Sequence, residues 1–164
     1  MKSKGFLKQL KKEGKLAIVE PSEEIKDSYL TKSESNLASS KILLENEKLE
    51  ESISLAYYIM YNILTSLLFK IGIKSTNHSG GIILLKEIFG IDNSKIEFAK
   101  KERIDKQYYA DFKITKKDAE DMIKTAEGFN AVLREFIDNL NNEDIERYGD
   151  NLREILEIRE SEDD

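Results

Sequence analysis

Apolar side chains recur at helical spacing through most of the chain. The clearest pattern covers residues 119–140, where they return at steps of three and four residues, as on one face of an amphipathic helix. Thr115 and Asp118 form a T-x-x-D capping box just before this segment, which marks the start of a helix. Similar spacing predicts further helices over about 4–13, 22–46, 48–70, 79–89, 94–108 and 143–159. No segment alternates as a half-buried strand does, so the pattern predicts an all-α protein.

Few residues interrupt these helices, because the chain has one proline and eight glycines. Gly14, Gly72 and Gly90 stand just past the ends of predicted helices, where a left-handed residue is common. Pro21 marks the boundary before the second helix, since the residue before a proline avoids helical geometry. Short connections between long amphipathic helices favour an up-and-down four-helix bundle with extra terminal helices.

The second predicted helix has a less apolar face than the others. We expect its inward stripe to be partly polar, and the helix itself to lie on the outside of the bundle. The predicted stripe consists of Ile25, Tyr29, Lys32, Asn36, Ser39 and Leu43.

The third predicted helix is the most apolar segment of the chain. Residues 53–73 carry a single charge, Lys70, and their length would allow a membrane span. Serine, threonine, asparagine and tyrosine side chains nevertheless recur through the segment, as they do in a helix surrounded by other helices. We therefore interpret it as a buried central helix.

The composition excludes several classes of protein. With 40% hydrophobic and 35% charged residues among 164, the chain is too apolar for disorder and too charged for a membrane protein. It has no cysteine and one histidine, which excludes disulfides and argues against a zinc site, so we expect no metal or other cofactor. The basic first residues lack the apolar stretch of a signal peptide, and we expect a cytoplasmic protein. P-loop, dinucleotide-binding and H-E-x-x-H motifs are absent from the sequence.

Charge is distributed unevenly, although the net charge of the chain is −6. The N-terminal segment is rich in lysine, whereas the C-terminal segment is strongly acidic. Together with the helix pattern, this asymmetry divides the chain into a basic extension over 1–20, a helical bundle over 21–141 and an acidic helix and tail over 142–164. The lysines can form a local nucleic-acid surface or only a solubilising face, and both interpretations stay open.

The stretch GIKSTNHSGG contains the one histidine of the chain, His78. Lys74 and His78 can converge at the start of the fourth helix, where free backbone N–H groups attract an anion. Asn77 or Ser79 can cap that helix. The histidine can act as an acid or base near neutral pH, or it can be a turn residue that is bonded to the backbone.

Two further stretches combine aromatic and charged residues. In AYYIMY, Tyr57 and Tyr61 share a helix face, and their rings can belong to a site or serve as core contacts between helices. In RIDKQYY, Arg103 can grip a phosphate or pair with a carboxylate such as Asp105. The sequence leaves both alternatives open for each stretch.

The order and spacing of these stretches resemble the HEPN superfamily of small helical-bundle proteins, and most closely a prokaryotic branch often paired with minimal nucleotidyltransferases. The resemblance covers about residues 22–140. It rests on the successive stretches SISLAYYIMY, KIGIKSTNHSGGIILLKEIFG, RIDKQYYADF and ITKKDAEDMIKTAEGFNAVL. It implies an up-and-down four-helix bundle, usually a homodimer, and many such proteins act as the toxin of a toxin–antitoxin pair.

Several HEPN toxins are metal-independent endoribonucleases, and the resemblance makes His78 the candidate for that activity. Their site combines an arginine with a histidine a few residues later, and both subunits of the dimer contribute to it. A histidine can move the 2′-OH proton of RNA, and a fixed cation stabilises the charged phosphorane. In this chain no arginine precedes His78 at that distance, Lys74 is the nearest cation, and Gly80 replaces a tyrosine that some partners modify.

Two functions follow from these observations. The first is an RNA-cleaving or RNA-binding toxin in which His78 and Lys74 are the catalytic candidates, while Arg103, Asn77 and Ser79 bind the substrate. The second is a non-catalytic helical module that binds a nucleotidyltransferase partner or a nucleotide. The position of His78 within the family motif favours the first function, and the missing arginine favours the second.

Overall fold

The computed structural model describes residues 2–108 and 113–157, with the backbone alone at 106–108 and 157. In this part of the chain the elements follow in the order α1 (Lys2–Lys12), β1 (Leu16–Ile18), α2 (Glu23–Glu45), α3 (Leu49–Ile71), β2 (Ile73–Ser75), α4 (His78–Glu87), α5 (Ser94–Tyr108), α6 (Lys116–Asp138) and α7 (Asn142–Glu157). The structure is helical apart from one small sheet, which confirms the all-α prediction.

Helix α3 lies at the centre of the bundle. It packs against α2, α5 and α6, and α4 and α7 also contact it. Most of its side chains are buried, among them Tyr57, Ile59 and Ile63, which are 0% exposed. Within the described residues α3 is the one helix long and apolar enough to cross a membrane. However, 72% of its most apolar 18-residue stretch is buried inside the fold. The prediction of a buried central helix is therefore confirmed.

Local sequence signals set the ends of several helices close to the predicted positions, whereas α4, predicted over about 79–89, spans His78–Glu87. Ser22 caps α2 by accepting a backbone hydrogen bond at 3.1 Å, and α3 ends at Gly72, which has a φ of 90°. At the start of α6, Thr115 Oγ1 accepts from the Asp118 N–H at 3.1 Å and the Asp118 carboxylate accepts from the Thr115 N–H at 3.0 Å, so the predicted capping box is confirmed. Helix α5 has its predicted bounds, whereas Arg159, the predicted end of the last helix, lies outside the described residues.

The sequence pattern missed a two-stranded antiparallel sheet. Strand β1 pairs with β2, with Leu16 opposite Ser75, and a further hydrogen bond runs from the Thr76 N–H to the Lys15 carbonyl at 2.9 Å. No strand was identified in the sequence, because strands of three residues are too short to display the alternation that identifies a strand. The sheet connects the N-terminal segment to the turn that precedes α4.

The inward face of α2 differs from the predicted stripe. Ser33 and Ser40 are 0% exposed, whereas Lys32, a member of the predicted stripe, is exposed. Ser33 Oγ donates to the carbonyl of Ile59 in α3 at 2.7 Å and accepts from Asn130 Nδ2 of α6 at 2.6 Å. The small serine hydroxyl can approach the backbone of α3 directly, and this contact defines the face that is buried.

The N-terminal and C-terminal helices of the described chain both contribute to the core. Leu7 and Leu10 of α1 are 0% and 2% exposed, and Leu152 and Leu156 of α7 are 0% and 5% exposed. All four belong to the same apolar cluster as α3. Helix α1 contacts α7, β1 and α4. It runs along α4, with Leu10 beside Gly80 near the start of α4 and Ser3 Oγ donating to Glu87 at its end at 2.8 Å.

Candidate functional site

The candidate site is built around the start of α4. His78 is the first residue of this helix, and Asn77 caps it, since Asn77 Oδ1 accepts a hydrogen bond from the Gly80 N–H at 2.8 Å. Of the two predicted capping residues, Asn77 therefore makes the cap. Ser79 Oγ instead accepts a hydrogen bond from Lys100 Nζ of α5. The second of these bonds connects the first turn of α4 to α5.

The two glycines in the first turn of α4 allow other helices to approach it closely. A Cβ atom added at Gly80 would lie 2.4 Å from Leu10 Cδ1 of α1, and one added at Gly81 would lie 3.3 Å from the Tyr61 hydroxyl oxygen of α3. Glycine weakens a helix by about 1 kcal/mol relative to alanine. The close approach of Leu10 and Tyr61 gives the physical reason for this unusual helix start.

Three tyrosines of α3 surround the imidazole of His78. The Tyr57 hydroxyl oxygen lies 2.8 Å from His78 Nδ1. The Tyr61 ring stacks on the imidazole, with ring centres 3.9 Å apart and an interplanar angle of 14°, and Tyr58 meets it edge-on with ring centres 6.3 Å apart. The side-chain hydrogen bond of His78 is therefore made to a tyrosine rather than to the backbone, and Tyr57 and Tyr61 share the face that meets it.

Arg103 of α5 approaches the same tyrosines. Its guanidinium carbon lies 5.1 Å from the centre of the Tyr57 ring and 5.3 Å from that of Tyr58, and its Nη1 donates to the Tyr58 hydroxyl at 3.2 Å. Its Nε is buried without a hydrogen-bond partner. In the described part of the chain Arg103 makes no ion pair, and Asp105 does not neutralise it. The guanidinium is thus held by aromatic rings while its charge stays available.

This surrounding keeps the imidazole neutral near pH 7. Burial lowers the pKa of His78, and the nearby charges of Arg103 and Lys100 lower it further. Burial also raises the pKa of Tyr57 well above its usual range and that of Tyr61 to about 12. Both phenols therefore keep their hydrogens over the physiological range, and a neutral imidazole lies beside two cations.

Lys74 approaches His78 from the small sheet rather than from a helix. It is exposed on β2, and it lines a cavity of about 220 Å³ that His78 also lines. The other lining residues are Tyr29, Tyr61, Thr65, Phe69, Ser75 and Thr76. Lys74 and His78 thus border one cavity, but the cations whose charge lowers the pKa of His78 belong to α5.

A second groove of about 350 Å³ runs between α4 and α5, beside Ser79. Its lining combines isoleucines with charged residues of both signs; it consists of Ser79, Ile82, Ile83, Glu97, Lys100, Lys101, Ile104 and Asp105. Because Ser79 and Lys100 also belong to the His78 cluster, the groove continues that cluster along α5. The described residues contain no group of three His, Asp or Glu side chains placed to hold a metal ion.

The structure therefore brings His78, Arg103 and Ser79 together with Tyr58 of the AYYIMY stretch and with Lys100, which the sequence did not single out. A signal for Lys100 exists in the sequence. It precedes Arg103 by three residues, about one helical turn, so both project from the same face of α5. Asn77 serves the helix start through its cap and takes no part in the cation cluster.

Comparison with known proteins gives two matches. The family model described as HEPN domain matches residues 27–140. A UPF0332 protein of Pyrococcus horikoshii is 43% identical over 56 residues, which is 34% of this chain and 39% of that protein. The aligned stretch thus spans well under half of the length of the curated relative.

Proposed function

The chain belongs to the HEPN domain family, and we propose that it is an RNA-binding protein of a toxin–antitoxin-type system that acts through the cluster around His78. One observation carries the proposal. The neutral imidazole of His78 and the guanidinium of Arg103 both contact Tyr57, so a hydrogen-bonding ring and a fixed cation lie side by side. A guanidinium and a neighbouring hydrogen-bonding group are well suited to bind a phosphate group.

The electrostatics of the cluster support phosphate as the group that is bound. Arg103 has no ion pair among the described residues, and its buried Nε shows that the guanidinium is already partly desolvated. A cation held in this way gains more from an anionic ligand than an exposed lysine does, because the local dielectric is low. Lys100 adds a second positive charge from the same helix.

Cleavage of RNA without a metal ion is the sharper form of this proposal. A fixed cation can stabilise the charge that develops on the phosphorane, and a neutral imidazole can exchange a proton near pH 7. HEPN ribonucleases keep an arginine shortly before the histidine, where this sequence has Lys74 as its nearest cation. Arg103 supplies a guanidinium to His78 from α5 instead, so the missing arginine has a spatial substitute.

The basic helix α1 supports RNA over a small nucleotide as the ligand. It carries five lysines and no acidic residue, although the whole chain has a net charge of −6. Those five lysines make no ion pair with other described residues. Because Leu10 packs against Gly80, α1 lies next to the first turn of α4. We expect Lys11 and Lys12, which follow Leu10 and are exposed, to extend the positive charge of the cluster beyond the length of a single nucleotide.

A second function is favoured by the hydrogen bond between Tyr57 and His78. This bond occupies Nδ1 of the only histidine, and a general base needs a free, unprotonated nitrogen. In this alternative the protein binds RNA or docks a minimal nucleotidyltransferase without cleaving. For both functions we expect a cytoplasmic homodimer, whose mass can be measured by light scattering.

Binding and cleavage of RNA can be tested in one experiment. An end-labelled single-stranded RNA is incubated with the protein in EDTA, and anisotropy and product formation are both recorded. The variants are His78→Ala and Arg103→Gln, with Arg134→Gln as the matched control, because Arg134 pairs with Glu34 away from the cluster. We expect both site variants to bind at least tenfold more weakly than wild type, whereas the control binds normally.

The outcomes separate the candidate functions. If the wild type and the control cleave the RNA and both site variants do not, the result supports the ribonuclease. Binding without cleavage supports the non-catalytic module. Failure of correctly folded wild-type protein to bind any RNA would contradict the proposed function in both forms.

A further inference from the structure

Among the described residues, the hydroxyl group of Tyr57 has a single hydrogen-bond partner. The Tyr57 side chain is 0% exposed, and its oxygen lies 2.8 Å from His78 Nδ1. No other described group bonds to this hydroxyl. The other ring nitrogen, Nε2, makes no hydrogen bond to a described residue and is not a fully buried orphan, so it reaches solvent.

These facts decide which atom donates in the bond. If His78 donated from Nδ1, the buried phenol hydrogen of Tyr57 would have no acceptor, which costs about 1–3 kcal/mol. If Tyr57 donates, both groups are satisfied, and Nδ1 is the unprotonated nitrogen of the ring. A neutral imidazole carries one hydrogen, and it must then reside on Nε2.

We propose that Tyr57 is a positioning residue that holds His78 as its Nε2–H tautomer, so that the imidazole presents a hydrogen-bond donor to a phosphate oxygen. The same bond opposes protonation of the ring. An imidazolium would place a hydrogen on Nδ1, opposite the Tyr57 hydroxyl, and the phenol hydrogen would lose its acceptor.

The charged groups around the ring act in the same direction. Tyr57, Tyr58 and Tyr61 face it from α3, Arg103 and Lys100 from α5, and Lys74 from β2. The cations of α5 disfavour a second positive charge on His78. Glu97 and Asp105 of α5 line the neighbouring groove beside Ser79. Near neutral pH the donor tautomer is therefore the resting form.

The ligand follows from this set of donors, and this step rests on the proposed function. Nε2–H, the guanidinium of Arg103 and the ammonium of Lys100 all donate, and together they suit an anionic acceptor. In the resting tautomer Nε2 already holds a hydrogen and cannot take one from a 2′-OH. His78 thus recognises a phosphate oxygen, and its contribution to RNA binding depends on the Tyr57 hydroxyl.

Nitrogen-15 NMR can test the tautomer directly, because the chain contains one histidine. The free protein is labelled, and the two ring nitrogens are assigned from their couplings to the ring protons above the pKa of His78. The variant Tyr57→Phe keeps the buried ring and removes the hydroxyl. Tyr61→Phe is the matched control, because Tyr61 stacks on the imidazole without hydrogen-bonding to it.

We expect the wild type and Tyr61→Phe to show an unprotonated Nδ1 and a protonated Nε2. In Tyr57→Phe we expect the Nδ1–H tautomer to gain population, the pKa of His78 to rise, and binding of a 2′-O-methyl RNA oligonucleotide to weaken several-fold. A protonated Nδ1 in the wild type would overturn the tautomer assignment.

The two parts of the inference fail in different ways. The predicted tautomer with unchanged RNA binding in Tyr57→Phe would overturn the role of Tyr57 in recognition. Absence of RNA binding by the wild type would overturn the ligand together with the proposed function. The tautomer is decided by the spectrum of the free protein in either case.

Discussion

Arg103 makes a cation–π contact with Tyr57, with the guanidinium carbon 5.1 Å from the centre of the ring. A cation over an aromatic ring gains about 0.5–2 kcal/mol, more where it is desolvated. The hydrogen bond from Arg103 Nη1 to the Tyr58 hydroxyl fixes the orientation of the guanidinium group. The positive charge is thereby kept beside His78 without being neutralised by a carboxylate of the described chain.

Replacing this cation should change the titration of His78. In Arg103→Met the side chain keeps much of its length but loses its charge, so we expect the pKa of His78 to rise toward its usual value. The pKa should rise because the charge of Arg103 is the second cause of its lowering, burial being the largest. A proton NMR titration of the one histidine measures it. Arg134→Met should leave the titration unchanged, and an equal response of both variants would contradict the assignment.

The lowered pKa of His78 also predicts how stability depends on pH. The unfolded chain binds a proton on this histidine at about pH 6.5, whereas the folded chain binds it only at lower pH. Between these values the unfolded state holds more protons, so the free energy of unfolding falls as the pH drops through the window. The stabilisation is fully present above the unfolded pKa.

Urea unfolding near pH 7.5 and near pH 5 can measure this loss. Wild type should lose more stability than His78→Gln over that interval, since the variant has no group that titrates there at this position. Carboxylates titrate alike in both proteins and cancel in the comparison. The same loss in both proteins would show that His78 has an ordinary pKa in the folded state.

The sequence predicts the helices that carry this site better than the side-chain contacts within it. Helical periodicity and caps predict α3, α5 and the start of α4, including the cap by Asn77, because these are local signals. The contact of Arg103 with Tyr57 joins two distant segments and depends on how α5 lies across α3. Periodicity describes which face of a helix is apolar, but it does not specify which polar residue meets which partner.

The small sheet and the inner face of α2 were missed for related reasons. Leu16 and Ser75 pair because the turn after α3 returns alongside the N-terminal segment, and three-residue strands leave no period in the sequence. Ser33 is buried through hydrogen bonds to Ile59 and Asn130, and such bonds do not depend on apolar character. A stripe that is sought by hydrophobicity therefore passes over it.

Gly72 should tolerate a side chain worse than Gly90 does. Both have left-handed backbones, with φ of 90° and 67°, so alanine at either position costs about 1–2 kcal/mol. At Gly72 an added Cβ would also lie 2.4 Å from the Val19 carbonyl oxygen, whereas Gly90 has open space. Urea unfolding should show a larger loss for Gly72→Ala than for Gly90→Ala. Equal losses would mean that the segment around Val19 moves away freely.

Ser33 should contribute more to stability than Ser40, although both are 0% exposed. Ser33→Ala leaves the Ile59 carbonyl and the Asn130 amide without their shared partner, which costs about 1–3 kcal/mol. Ser40 bonds only to the Leu37 carbonyl within its own helix, so Ser40→Ala should cost about 1 kcal/mol or less. Chemical denaturation measures both variants. A smaller loss for Ser33→Ala would contradict the linking role of its hydroxyl.

The lysines of α1 should determine much of the salt dependence of RNA binding. Each lysine that neutralises a phosphate of single-stranded RNA contributes about 0.7 to the slope of log K against log salt. Replacing Lys4, Lys11 and Lys12 by glutamine should therefore reduce the slope by up to about 2, because the three are exposed on α1, which packs along α4. The matched control replaces Lys116, Lys117 and Lys124 of α6, which are also exposed. Anisotropy titrations over a range of salt concentrations give both slopes. If the two triple variants lose the same amount, the lysines of α1 act through net charge alone and do not contact the RNA.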